Sequence, residues 1–173
     1  MNIRNLLSYF LLIIFLSVVQ VLFLKNLALF GVAFAFIYLL GILILPVSLR
    51  PVSLILIAFA LGLIIDVFYE TIGMHAAAAT FMAFARSLWL RAISPTGGYV
   101  EAEEPSISEM GFGWFLSYSL PLIFGYSLIF FTADQWGTGG LLEILNKSFF
   151  SAIFTGLLVI LVQLLFFKRR RRI

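Results

Sequence analysis

Six predominantly apolar runs, residues 6–24, 28–45, 52–69, 73–90, 114–131 and 149–167, take up most of this 173-residue chain. A helix needs about 20 apolar residues to cross roughly 30 Å of hydrocarbon, so each run has the length of a membrane span. The chain is 63% hydrophobic and 11% charged, far from the composition of a soluble domain. The pattern predicts an all-α, polytopic membrane protein with six transmembrane helices, forming a single integral membrane domain over residues 1–173. Little chain is left for enzymatic machinery of the soluble kind.

The breaks between runs have physical causes. Lys25 and Asn26 separate the first pair, and Pro46 and Pro51 bracket a turn at Arg50, where a helix would lose hydrogen bonds. Thr71, Ile72 and Gly73 leave room only for a tight turn, so the third and fourth runs must form an antiparallel hairpin. Residues 94–113 are a polar loop carrying Glu101, Glu103, Glu104 and Glu109. Within it, Ser106-Ile107-Ser108-Glu109 has the spacing of a capping box, which would start the fifth helix before Trp114, along the interface. A plain polar loop fits these residues equally well. The first run is longer than the core of a signal peptide and lacks a small-x-small cleavage site after it, so it is expected to be a retained helix. Tyr9, Tyr38, Tyr69, Trp89, Trp114 and Trp136 fall near run ends, where interfacial aromatics belong. No internal repeat is evident, which speaks against an inverted-repeat transporter.

With an even number of spans, Arg4, Arg50, Arg86, Arg91 and the run Lys168, Arg169, Arg170, Arg171, Arg172 share one side, while Lys25 and Lys147 lie on the other. The positive-inside rule then makes both termini of a multi-pass membrane protein cytoplasmic. The net charge of +3 is concentrated in the terminal run. At a membrane exit such a run sets topology and touches anionic lipid, so no nucleic acid is expected as a partner. The absence of Cys excludes disulfides and thiolate metal sites, and a single His excludes a His-cluster metal site. No cofactor is implied.

Asp66 lies in a run with no other charge, and an intramembrane carboxyl marks a functional position by default. Ala58, Gly62, Asp66 and Glu70 follow one another at helical spacing, facing Ala76, Ala79, Ala83 and Arg86 on the next run. Small residues on both faces let two backbones approach closely, and packing alone accounts for them. An ionised carboxylate at a helix centre costs about 2.5–3.5 kcal/mol, so it must be paired, protonated or near water. His75 lies at the depth to be that partner, followed by backbone or hydroxyl groups of another helix. Arg86 lies about two turns deeper, out of reach of an ion pair. A lone His is more often structural than catalytic, and Asp66 with Glu70 has no accompanying nucleophile or metal set, so catalysis is not expected.

Gly62-Leu63-Ile64-Ile65-Asp66, followed by Gly73-Met74-His75-Ala76, resembles the Gly-Leu-x-x-Asp and Gly-x-x-Ala signature of the MreD family of rod-shape-determining membrane proteins. Pro95, Gly98-Tyr99, Pro105-Ser106-Ile107, Met110-Gly111, Trp114 and Tyr118 look like its Bacteroidota branch, so the resemblance extends over most of the chain. Gly125-Tyr126 stands where that branch often carries two histidines. The resemblance implies a non-enzymatic scaffold of the cell-wall elongation machinery and peptidoglycan synthesis. Its expected partners are the single transmembrane helix of an MreC-like bitopic protein, other membrane proteins of the elongasome and the lipid bilayer. It also implies a fold like that of the substrate-binding subunits of energy-coupling-factor transporters, which supplies the alternative of a vitamin-type binding subunit. Such a subunit should converge polar groups on a cavity, whereas Gln20, Asp66, His75, Thr80 and Gln163 are sparse.

Overall fold

A computed structural model describes residues 3–99 and 104–166, with side chains described from residue 7 onward. In chain order the elements are α1 (Ile3–Val19), continued by a π-helical turn Gln20–Leu24; β1 (Ala28–Leu29); β2 (Ala33–Phe34); α2 (Leu39–Leu43); α3 (Pro51–Tyr69); α4 (Met74–Ala92); α5 (Ile107–Met110); α6 (Phe112–Asp134); and α7 (Leu141–Phe166). The chain is mostly helical, and the expected α3–α4 hairpin is present. Pro51 at the first helical position starts α3, where its missing N–H costs nothing. Glu70, left-handed at φ 58°, ends it by donating its N–H to the carbonyl of Asp66. Gly73, at φ 75°, then turns the chain into α4.

Among the described residues four helical stretches are long and apolar enough to cross a membrane: Leu7–Leu24, Pro51–Tyr69, Phe112–Asp134 and Leu141–Phe166. By length and composition they mark a membrane protein. The fourth run of the sequence, expected as a span over residues 73–90, is a helix as long as α3, at 19 residues. It is less apolar because it is the inner helix, packed between α3 and α6. His75, Ala76, Ala78, Ala79, Met82, Ala83, Arg86 and Leu90 are all buried along it, so close packing rather than hydropathy shapes its composition.

The second run departs most from expectation, because residues 28–45 do not form a spanning helix. Ala28 pairs with Phe34 and Leu29 with Ala33 in a small antiparallel hairpin. The turn is closed by Val32 N–H to Leu29 O at 3.1 Å. Both central residues, Phe30 at φ 54° and Gly31 at φ 71°, are at positive φ, the conformation that matches the twist of a two-stranded ribbon. The chain continues extended to Ile37 and closes as the short, wholly buried α2. It runs the length of the bundle: Lys25 Nζ reaches the carbonyl of Phe68 at the end of α3, while Leu43 and Leu45 meet Arg86 near the end of α4. Open backbone at membrane depth is tolerated only inside protein, and residues 35–45 are accordingly buried.

Smaller differences follow from local physics. α6 begins at Phe112 and α7 at Leu141, both earlier than hydropathy alone placed them. The Ser106 hydroxyl does accept from Glu109 N–H at 3.3 Å, but it starts the separate four-residue α5, which Gly111 at φ 87° divides from α6. Tyr38 is not an interfacial aromatic; it is fully buried in the core. Tyr9 of α1 donates to Glu104, and Gln163 of α7 accepts from Ile107 N–H, so the start of α1 and the end of α7 lie at one end of the bundle. Lys168, Arg169, Arg170, Arg171 and Arg172 lie outside the described residues, as do Glu101 and Glu103.

Candidate functional site

The α3–α4 hairpin positions the motif residues. A Cβ built on Gly62 would collide with the Cα of Ala76 and lie 2.7 Å from its N and 2.8 Å from the carbonyl carbon of His75. Only a glycine lets the backbones meet there. One turn further along α3, Asp66 is 4% exposed and reaches across the turn to the start of α4. Its Oδ1 accepts His75 N–H at 3.0 Å and the Thr71 hydroxyl at 2.5 Å, and its Oδ2 accepts Ala76 N–H at 2.9 Å. Asp66 therefore caps α4, satisfying two orphan amide donors at the positive end of the helix. The expected partnership with His75 exists through the backbone of His75, not its imidazole.

Glu70 does not join this arrangement. Its left-handed backbone ends α3 before the fourfold spacing from Asp66 can place it on the seam, and its side chain is exposed at the turn. Gly73 has open space around its Cα and is needed for its positive φ rather than for close approach.

The imidazole of His75 points into an aromatic enclosure. Nδ1 lies 2.6 Å from the Tyr126 hydroxyl and 3.3 Å from that of Tyr38, and the two hydroxyls are 2.7 Å apart. The rings of Phe130, Tyr69 and Phe36 lie 4.6, 4.9 and 5.9 Å from the imidazole. Nε2 is buried without a hydrogen-bond partner. Tyr126 supplies the hydroxyl nearest this ring.

Next to this cluster, the extended segment is held by side chains in place of a neighbouring strand. Backbone groups of alternate residues in a strand point to opposite sides, and each side here meets a different helix. Towards α1, the Gln20 amide donates to Ala35 O at 2.8 Å and accepts Ile37 N–H at 2.8 Å, acting as one rung of a ladder. Towards α7, Ser151 accepts Phe34 N–H at 2.9 Å and Thr155 accepts Phe36 N–H at 3.0 Å. Gln20 also donates to the Tyr69 hydroxyl at 2.5 Å, tying the segment to the end of α3. It begins the π-helical turn that closes α1, a geometry that recurs where a helix must present a side chain out of register.

Near the far end of the bundle Arg86, 1% exposed, does not approach Asp66. Its Nε donates to the Tyr118 hydroxyl at 2.6 Å, and Nη2 donates to the carbonyls of Leu45 and Leu43. Tyr118 donates in turn to Leu43 O at 2.8 Å. A cation thus closes the negative end of α2.

Sequence reasoning picked out Gln20 and Asp66; it placed Tyr38 at an interface, named Tyr118 and Tyr126 only within the resemblance, and did not single out Ser151 or Thr155. The signal for the last two was present: Ser148, Ser151 and Thr155 lie on one face of an otherwise apolar helix, a pattern that calls for a polar neighbour. Among the described residues no group of three or more His, Asp or Glu side chains is placed to hold a metal ion. What the arrangement does chemically is supply hydrogen bonds to backbone that water and a regular helix would otherwise satisfy. No family model matches the chain, and no curated protein or solved structure matches it either.

Proposed function

We propose that this chain is a non-enzymatic scaffold of the bacterial inner membrane, with both termini cytoplasmic, that binds the transmembrane helix of an MreC-like bitopic protein within the cell-wall elongation machinery. The family reading rests on the motif residues quoted above. The observation that carries the binding mode is a concave apolar seam of about 400 Å³ between α1 and α3. Phe10, Ile14, Val18 and Leu22 line it from α1, and Ile64 and Phe68 from α3. Its one hydroxyl, Ser17, is satisfied within α1 by Ile13 O at 2.8 Å. Only 11% of Leu7–Leu24 is buried, against 50% of an apolar 18-residue stretch within Phe112–Asp134, so α1 is the helix with most apolar surface left for a partner. A lone transmembrane helix with small residues on one face would fit such a seam by dispersion contacts.

The interior supports a scaffold over a transport subunit resembling those of energy-coupling-factor systems. Three of the buried polar side chains that such a subunit would aim at a ligand are spent here on the chain's own backbone: Gln20 on Ala35 and Ile37, Asp66 on His75 and Ala76, Thr155 on Phe36. Purification from native membranes tests the reading. The MreC-like partner should co-purify, and Ile14→Trp with Ile64→Trp should release it while the protein still accumulates. Depletion should round rod-shaped cells. Recovery of a stoichiometric vitamin with an ATPase module, and no elongation partner, would replace the scaffold by the transporter. Reporter fusions at Gly137 and Arg172 should report opposite sides of the membrane.

A further inference from the structure

Where α3 begins and α4 ends, a cavity of about 520 Å³ opens at the end of the bundle, lined by Arg50, Arg86 and Arg91 with Ser48, Ser87 and Ser94. We infer that it is a binding site for a phosphoryl group, carried by an anionic lipid headgroup or by free phosphate. This inference is independent of the scaffold proposal.

Three arginines line one cavity, and none has a carboxylate partner among the described residues, where the ion pair present is Lys147 with Glu143. Arg50 and Arg91 are exposed and can be solvated. Arg86 cannot, because it is 1% exposed and its partners, Tyr118 and the carbonyls of Leu43 and Leu45, are all neutral. Dipoles compensate a buried cation only in part, and a counter-charge within reach of the cavity would complete the compensation. α3 adds to the same field, since its N-terminus at Arg50 and Pro51 has no side-chain cap and its positive end abuts the cavity. Among the described residues no acidic side chain lines the walls.

The ligand chemistry follows from the donors. Guanidinium forks match the paired oxygens of a phosphate, and the hydroxyls of Ser48 and Ser94 supply further donors, that of Ser87 being directed to Ala83 O. The volume lies within the ordinary range of small-molecule sites. A basic pocket between helix ends is also the arrangement by which membrane proteins hold anionic headgroups.

The test uses the full chain in a neutral detergent and reads thermal protection on titration with short-chain phosphatidylglycerol, short-chain phosphatidylcholine and inorganic phosphate. Phosphatidylglycerol should protect and phosphatidylcholine should not. Arg50→Gln with Arg91→Gln, both at exposed positions, should weaken that protection by about tenfold or more, because hydrogen bonds to charged groups are among the stronger ones. Arg169→Gln with Arg170→Gln removes the same charge from the terminal run and should leave protection near the wild-type level. If inorganic phosphate protects with the same arginine dependence, the site takes a free phosphoryl anion; if only the lipid protects, it takes a headgroup. Protection by neither ligand, or equal losses in the two double variants, would overturn the site.

Discussion

The α3–α4 hairpin and the segment 28–45 are both apolar stretches inside one bundle, yet they solve the problem of buried backbone in opposite ways. In the hairpin the helices satisfy their own amides apart from the two at the start of α4 that Asp66 caps, and what remains is a problem of distance, met by Gly62 against His75 and Ala76. In the inner segment the chain leaves the helix, and what remains is a problem of hydrogen bonding, met by Gln20, Ser151 and Thr155. An unsatisfied backbone group in a membrane interior costs several kcal/mol, so these three side chains are as necessary to the segment as the missing Cβ is to the hairpin. The hairpin seam should therefore be sensitive to size and the inner segment to polarity.

Gly62→Leu is expected to have the largest effect. Its first carbon already has no room against the Ala76 backbone, so the helices must separate and the Asp66 cap with them. The protein should fail to accumulate, and Gly62→Ala should fall between it and the wild type. Normal accumulation of the leucine variant would remove the seam from the account. Gln20→Leu comes next: it keeps the bulk but leaves Ala35 O and Ile37 N–H without partners, at about 1–3 kcal/mol for each. A variant with an unchanged unfolding midpoint would show that the segment finds other partners and that the contrast between the two regions is overdrawn.

The hairpin was legible from sequence because its determinants are local. Gly73, the short turn and the small residues at helical spacing all lie on two consecutive helices, and proline at Pro51 marks the start of α3. Asp66 was legible as a residue that needs a partner, and the partner was misassigned to an imidazole because a capping amide carries no side-chain signature. The break in residues 28–45 was not legible, for hydropathy counts side chains and this segment is decided by backbone partners far away in sequence. Gln20 lies 17 residues from Ile37, and Thr155 lies 119 from Phe36. The aromatic and β-branched content of Val32, Phe34, Phe36 and Ile37 favours extended structure, but that preference is weak beside the cost of exposing backbone to lipid. Arg86 was read as too deep for Asp66, and so it is; that it would close α2 followed from the break itself.

Asp66→Ala is expected to be the third largest change. It unpairs the amides of His75 and Ala76 and the Thr71 hydroxyl, a loss of about 1–3 kcal/mol. Asp66→Asn keeps one acceptor and should recover part of it. The loss should loosen the start of α4 while amide exchange in the inner segment stays slow. Exchange that rises equally in both regions would mean that the two are one cooperative unit.

The smallest effect is expected at Glu70, and it has the opposite sign. Glu70 is held at φ 58°, a conformation that favours residues without a Cβ. Its exposed carboxylate makes no ion pair among the described residues. Glu70→Gly removes the steric cost while enlarging the entropy of the unfolded chain, and the two nearly offset, leaving a gain of about 0.5 kcal/mol. For a chain of this size that corresponds to about 1–2 °C in the unfolding midpoint. A small rise would identify the turn as a place where the hairpin tolerates strain, fixed by backbone geometry alone. A fall of several degrees would assign the Glu70 carboxylate an interaction of its own, and the hairpin would then depend on polarity at its tip much as the inner segment depends on it throughout.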